Sequence, residues 1–121
     1  MIKEFIPTIE DVLKRPLFEC AQVVAGHKGL VKEIRWAHVL EIPDGAIFIN
    51  GGELILSTGI GFGEDCKKQI EYLTQIIKKN AVGLCIELGP FVPKIPQNMI
   101  DLADQHHFPL ISFHRSLPKT P

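Results

Sequence analysis

Three short apolar runs dominate the second half of the chain: Leu54-Ile55-Leu56, Val82-Gly83-Leu84-Cys85-Ile86 and Leu110-Ile111-Ser112-Phe113. They begin at evenly spaced positions, 54, 82 and 110. A strand with one wet face alternates apolar and polar residues; a continuous run belongs to a strand covered on both faces, as in a parallel sheet. The spacers read as helices. Residues 65–79 place Cys66, Ile70, Leu73 and Ile77 on one helical face. Residues 97–106, entered through Pro96, offer Met99, Ile100 and Ala103 for packing. The pattern is β-α-β-α-β, and right-handed crossovers make its three strands a small parallel core.

The first half reads as an extension of that core. Thr8 can cap a short helix whose acids, Glu10 and Asp11, suit its positive end, and Pro16 stops it. Residues 20–25 predict a strand closed by the turn Gly26-His27-Lys28-Gly29. Residues 34–41 alternate, with Ile34, Trp36, His38 and Leu40 on one face, and Pro43-Asp44-Gly45 follows as a turn. These strands are shorter, and their pairing, parallel or antiparallel, stays open. A length of 121 residues with 45% hydrophobic content fits one α/β domain with a real core and excludes a disordered chain. The domain is expected over residues 1–117, with 118–121 starting a linker or tail.

Charge and cysteines exclude several functions. Lys and Arg total 13 against 14 Asp and Glu, a net charge of −1. A domain that grips nucleic acid through its phosphates carries a basic excess, so DNA binding is not expected here. The same balance argues against a basic membrane-surface helix, and no apolar stretch approaches a membrane span. Cys20, Cys66 and Cys85 form no C-x-x-C pair, which fits reduced thiols in the cytoplasm rather than disulfides or zinc. The five histidines show no metal-ligand spacing, and no nucleophile sits beside a base in sequence. No metal, cofactor or catalytic residue is therefore expected, and an enzyme is the least favoured reading.

Open parallel sheets bind ligands outside the carboxyl ends of their strands. Here those ends carry Ser57-Thr58-Gly59, Glu87-Leu88-Gly89 and His114-Arg115. Thr58 can donate or accept, Glu87 can hold an amino or ring N–H group, and His114 and Arg115 can meet a carboxylate or oxo group. The mixture suits a small polar metabolite; the plain alternative is ordinary loop polarity. Gly59-Ile60-Gly61-Phe62-Gly63 precedes a helix, but Glu64 and Asp65 would repel phosphate there, so a hinge or lid is the favoured use. Trp36 is favoured as a core residue over a wall for a planar ligand, while His38 and Glu41 stay open between the two. Gly51-Gly52-Glu53 reads as a tight structural turn delivering the next strand.

Two ordered segments, Arg35-Trp36-Ala37-His38-Val39-Leu40-Glu41 and Gly51-Gly52-Glu53-Leu54-Ile55-Leu56-Ser57-Thr58-Gly59, resemble the N-terminal domain of the PucR-type purine catabolism regulators. The resemblance runs over about residues 8–115. It implies a cytoplasmic bacterial transcription regulator whose first domain senses a small effector, such as a purine breakdown product. It also implies a homodimer that meets DNA only through a C-terminal helix-turn-helix domain, which these 121 residues do not include. The chain would then be a piece of a longer regulator or a standalone protein. The motif carries over Arg35, Trp36, His38, Glu41, Glu53, Thr58 and Gly59 as ligand-binding candidates, with Gly51 and Gly52 as the turn; Glu87 joins them from the sheet-end argument. Ser57 stands where many relatives have Thr, and Asn50 where a bulkier apolar residue is usual. The competing readings are a ligand-free dimerisation or docking module and a small metabolite-processing enzyme.

Overall fold

The computed structural model describes residues 6–41 and 49–114. Its elements are α1 (Ile9–Leu13), β1 (Gln22–Ala25), β2 (Trp36–Val39), β3 (Glu53–Ser57), α2 (Cys66–Lys78), β4 (Gly83–Leu88), α3 (Gln97–Gln105) and β5 (Leu110–His114), with 3-10 turns at Pro16–Phe18 and His27–Val31. One sheet of five strands runs in the order β1-β5-β4-β3-β2. The pairs β2–β3, β3–β4 and β4–β5 are parallel, and β1 closes the far edge antiparallel to β5. This is a mixed, mostly parallel α/β fold, with the expected β-α-β-α-β unit at its centre.

The continuous apolar runs are explained by cover on both faces. Ile55, Leu84, Ile86 and Leu110 pack with Tyr72, Leu73 and Ile76 of α2 and Met99 and Ala103 of α3. On the other side Leu54, Cys85 and Ile111 pack with Ile9, Ile34 and Val82. The inward stripe of α2 is Gln69, Tyr72, Leu73 and Ile76, while Cys66 is exposed, so the helix is rotated from the face that the apolar spacing predicts. Tyr72 is the cause: its ring is buried and tilts against Phe62 at 4.8 Å. The caps form as their residue types dictate. Thr8 and Asp11 close a capping box, the Asp11 backbone N–H donating to Thr8 Oγ1 at 3.2 Å and the Thr8 backbone N–H to Asp11 Oδ2 at 2.9 Å. That second bond, with the Thr8 hydroxyl, holds the Asp11 carboxyl below its ordinary range. Asp65 caps α2 by accepting from the Lys68 N–H.

The assignment of Trp36 to the core is overturned: it is 52% exposed. Among the described residues β2 is the last strand of the sheet, and along it only His38 is partly covered. The alternation across residues 34–41 also breaks. Ile34 and Leu40 are both buried but fall in opposite layers, because the chain bends at Arg35 before β2 begins. The turn Pro43-Asp44-Gly45, Arg115 and the tail lie outside the described residues.

Burial predicts thiol chemistry. Desolvation pushes the Cys85 thiol up to about 12, whereas Cys20 and Cys66 are exposed. Thiolate is the reactive form. Iodoacetamide at neutral pH is expected to label Cys20 and Cys66 in the folded protein and to reach Cys85 only in denaturant, as read by peptide mass spectrometry. Labelling of Cys85 at a comparable native rate would contradict this packing.

Candidate ligand-binding cleft

The parallel register brings the carboxyl ends of the central strands level, with Ser57 beside Ile86 and Leu88 beside His114. The residues that follow open a cleft of about 360 Å³ lined by Thr58, Glu87, Leu88, Gly89, Pro90, Phe91 and His114. This is the size of a small-metabolite site. Thr58 and Glu87 are half-buried; Phe91 and His114 stand exposed at the lining.

Behind Thr58 lies a polar network. Both Glu41 carboxylate oxygens accept from the Thr58 N–H, at 2.9 and 3.3 Å. The Thr58 hydroxyl donates to Glu41 Oε2 at 2.9 Å, and the Ser57 hydroxyl donates to the same oxygen at 3.3 Å. Ser57 Oγ in turn accepts from the Gly59 N–H at 2.9 Å. Beside it the Tyr72 hydroxyl donates to the Leu40 carbonyl at 2.6 Å. Burial pushes the Tyr72 phenol well above its ordinary range, against the opposing effect of the Ser57 hydroxyl. Tyr72 therefore remains a protonated donor. The network ties the end of β2 to the end of β3 and sets the position of Thr58.

A neighbouring hollow of about 370 Å³ is lined by Gly63, Glu64, Cys66, Gln69, Val92, Pro93, Lys94 and Pro96. Gly89, Pro90 and Phe91 line the first cleft and Val92, Pro93, Lys94 and Pro96 the second, so one loop separates them. Residues 59–63, expected from sequence as a hinge or lid, form a hydrogen-bonded turn in this structure. The Phe62 and Gly63 N–H groups donate to the Gly59 carbonyl, Phe62 is buried, and Gln69 Nε2 donates to the Gly63 carbonyl at 2.7 Å.

The sequence candidates divide between the two ends of the sheet. Glu41, Thr58, Gly59 and Glu87 gather at the carboxyl end; of these Thr58 and Glu87 line the cleft, while Glu41 and Gly59 support it. Arg35, Trp36, Gly51, Gly52 and Glu53 lie at the opposite end, where the Arg35 N–H donates to the Gly52 carbonyl and Trp36 pairs with Glu53. His38 sits on β2 beside Ile55. Gly52 has φ +88, and a Cβ there would press on the Arg35 side chain, which accounts for the glycine. Glu53 is fully buried; one oxygen accepts from the Asn50 N–H at 2.7 Å, and Oε1 has no partner among the described residues. Among the described residues no group of three or more His, Cys, Asp or Glu is placed to hold a metal ion, and no helix is long and apolar enough to cross a membrane. Sequence reasoning missed Pro90 and Phe91. Their signal was a large apolar residue straight after Gly-Pro, in a loop that leaves it unburied.

Residues 11–119 match the purine catabolism regulatory protein-like family, PucR. The chain belongs to this family. It is 32% identical over 103 residues, 85% of its length, to the purine catabolism regulatory protein of Bacillus subtilis (strain 168). It is 21% identical over 97 residues, 80% of its length, to the transcriptional activator PmfR of Paenarthrobacter nicotinovorans. These alignments span 19% and 21% of the two relatives, so the chain covers about a fifth of their length. The PucR match includes every strand of the sheet and every residue lining the cleft.

Proposed function

We propose that this PucR-family domain is the ligand-sensing part of a bacterial transcription regulator of purine or related nitrogen-compound catabolism. It would act in the cytoplasm as a homodimer, bind its effector without turning it over, and leave DNA to a domain outside these 121 residues. The supporting observation is the cleft at the carboxyl ends of β3, β4 and β5, where open α/β sheets hold ligands. The names of both relatives, a regulatory protein and a transcriptional activator, supply the regulatory role. The net charge of −1 agrees with a division in which this domain does not grip DNA.

A thermal-shift screen of purines, ureides and amino acids tests the reading. A ligand at one hundred times its Kd adds about 2.7 kcal/mol, which for a domain of this size raises the melting temperature by roughly 10 °C. A screen in which no compound raises it overturns the sensing role. One observation favours the docking alternative: β2 is an edge strand that exposes Trp36 and Val39, at 52% and 65%. Sedimentation separates the two, because a pure assembly module dimerises tightly without any metabolite.

A further inference from the structure

The outer edge of β2 carries a segment that is complementary to itself. Among the described residues β2 pairs with β3 alone, with His38 opposite Ile55. The Leu40 N–H donates to the Leu56 carbonyl. In a parallel pair alternate residues bond the same neighbour, so His38 and Leu40 face β3 and the N–H and C=O groups of Ala37 and Val39 point outward. Sheet edges are commonly blunted by charge, proline or a bulge. β1, at the opposite edge, has a bulge between Val23 and Ala25. Trp36-Ala37-His38-Val39 contains no Lys, Arg, Asp, Glu or Pro, and its pairing with β3 runs without a register shift. Trp36, Ala37 and Val39 are all exposed.

We infer that two copies of this chain pair through β2, antiparallel about a two-fold axis at His38, so that their sheets join into one. Symmetry and hydrogen bonding select that centre. Opposed residues share a face, and a two-fold axis that joins two edges into one sheet stands perpendicular to it, so one residue of β2 faces its own copy. A centre at His38 sets Ala37 against Val39 of the second copy, and Val39 against its Ala37, each pair exchanging both N–H···O bonds through the groups that point outward. The same centre sets Trp36 opposite Leu40 and Arg35 opposite Glu41, a cation against an anion at each end of the pairing. A centre at Ala37 would instead oppose Glu33 to Glu41, two like charges. Arg35 is exposed, and Glu41 Oε1 accepts from the Thr58 N–H, with a second lone pair left for a guanidinium. A strand of 4 residues buries less than the roughly 1,200–2,000 Å² of a standard interface, so the pairing is weak, unlike that of a tight assembly module. The inference rests on the homodimer reading above and adds to it the surface and the register.

Cysteine scanning of β2 tests it. Ala37→Cys, His38→Cys and Val39→Cys are each made in the 121-residue chain, with Cys20→Ser and Cys66→Ser removing the exposed native thiols. At the axis the two copies of position 38 form a non-hydrogen-bonded pair with Cα atoms about 4.5 Å apart, within disulfide reach. Positions 37 and 39 lie diagonally from their own copies, about 7–8 Å away and beyond that reach. Mild oxidation at about 1 mM protein is expected to yield at least about tenfold more disulfide-linked dimer from His38→Cys than from the other two, read on non-reducing gels. A second arm uses charge. His38→Lys and His38→Glu each set like charges face to face and are expected to sediment as monomers, and an equal mixture of the two is expected to restore the dimer. Circular dichroism confirms the fold of each variant. A wild-type chain that sediments as a monomer at the same concentration overturns the homodimer reading and this inference together. A wild-type dimer that cross-links no better at 38 than at 37 or 39, or that survives both charge substitutions, leaves the homodimer standing and overturns the axis at His38.

Discussion

Replacing Gly26 with Ala is expected to leave little folded protein near physiological temperature. Gly26 follows β1 at φ +69, a left-handed conformation that costs an L-residue about 1–2 kcal/mol. A Cβ there would also run into the backbone of Phe108 and Pro109, with Pro109 N only 2.6 Å away, and backbone cannot swing aside as a flexible side chain can. The Gly26 N–H donates to Asp104 Oδ1 at 2.7 Å, so any retreat of the chain breaks a contact between the end of β1 and the end of α3. Strain, overlap and the lost bond together should exceed about 4 kcal/mol, a large part of the 5–15 kcal/mol that holds a typical domain. Urea denaturation followed by circular dichroism is the measurement. A loss below about 1 kcal/mol would mean that the 108–109 segment yields easily.

The close approach at Gly26 was not visible in the sequence, where residues 26–29 read only as a turn. The central unit was visible, because it rests on local patterns: unbroken apolar runs, an amphipathic helix between each pair, and Pro96 at a helix entrance. What periodicity could not reach was everything set by position in the sheet. Trp36 has the composition of a core residue, and alternation places it on the same face as Leu40. Its exposure follows from β2 being the last strand, which depends on the pairing of β3 with β4 on one side and β2 on the other. The phase of α2 was likewise shifted by Tyr72, whose hydroxyl reaches the Leu40 carbonyl, a partner far away in sequence.

The candidate site was legible where the parallel-sheet rule applied. That rule directs attention to Thr58, Glu87 and His114, and these three share one cleft. The motif segments carry a different kind of information. Arg35, Gly51, Gly52 and Glu53 gather at the amino end of the sheet, around the turn that leads into β3, and they are separated from the cleft by the length of that strand, about 3.3 Å per residue. A motif mixes residues that shape the fold with residues that face a ligand, and only the placement of strand ends separates them. Glu41 shows why: the motif offers it as a ligand-binding candidate, and its place behind Thr58 depends on Ser57 and Thr58 arriving beside it from β3.

Glu41→Ala is expected to loosen the carboxyl end of the sheet more than any exposed substitution at its other end. The change removes the acceptor for the Thr58 N–H, the Thr58 hydroxyl and the Ser57 hydroxyl at once. Hydrogen bonds to a charged group contribute about 1.5–3 kcal/mol each, but the site is half-buried and water can reach part of it, so a net loss of about 2–4 kcal/mol is expected. In a domain of this size that lowers the melting temperature by roughly 10 °C or more. Trp36→Ala is the contrast: the ring is half exposed on an edge strand, and its loss should stay within about 1 kcal/mol. Glu41→Gln discriminates further. Its carbonyl can still accept from the Thr58 N–H, but its amide can donate to Thr58 Oγ1 and return the hydroxyl hydrogen to the cleft. Stability should then lie between wild type and Glu41→Ala. If Glu41→Ala and Trp36→Ala cost the same, the network around Thr58 is not what holds this end together.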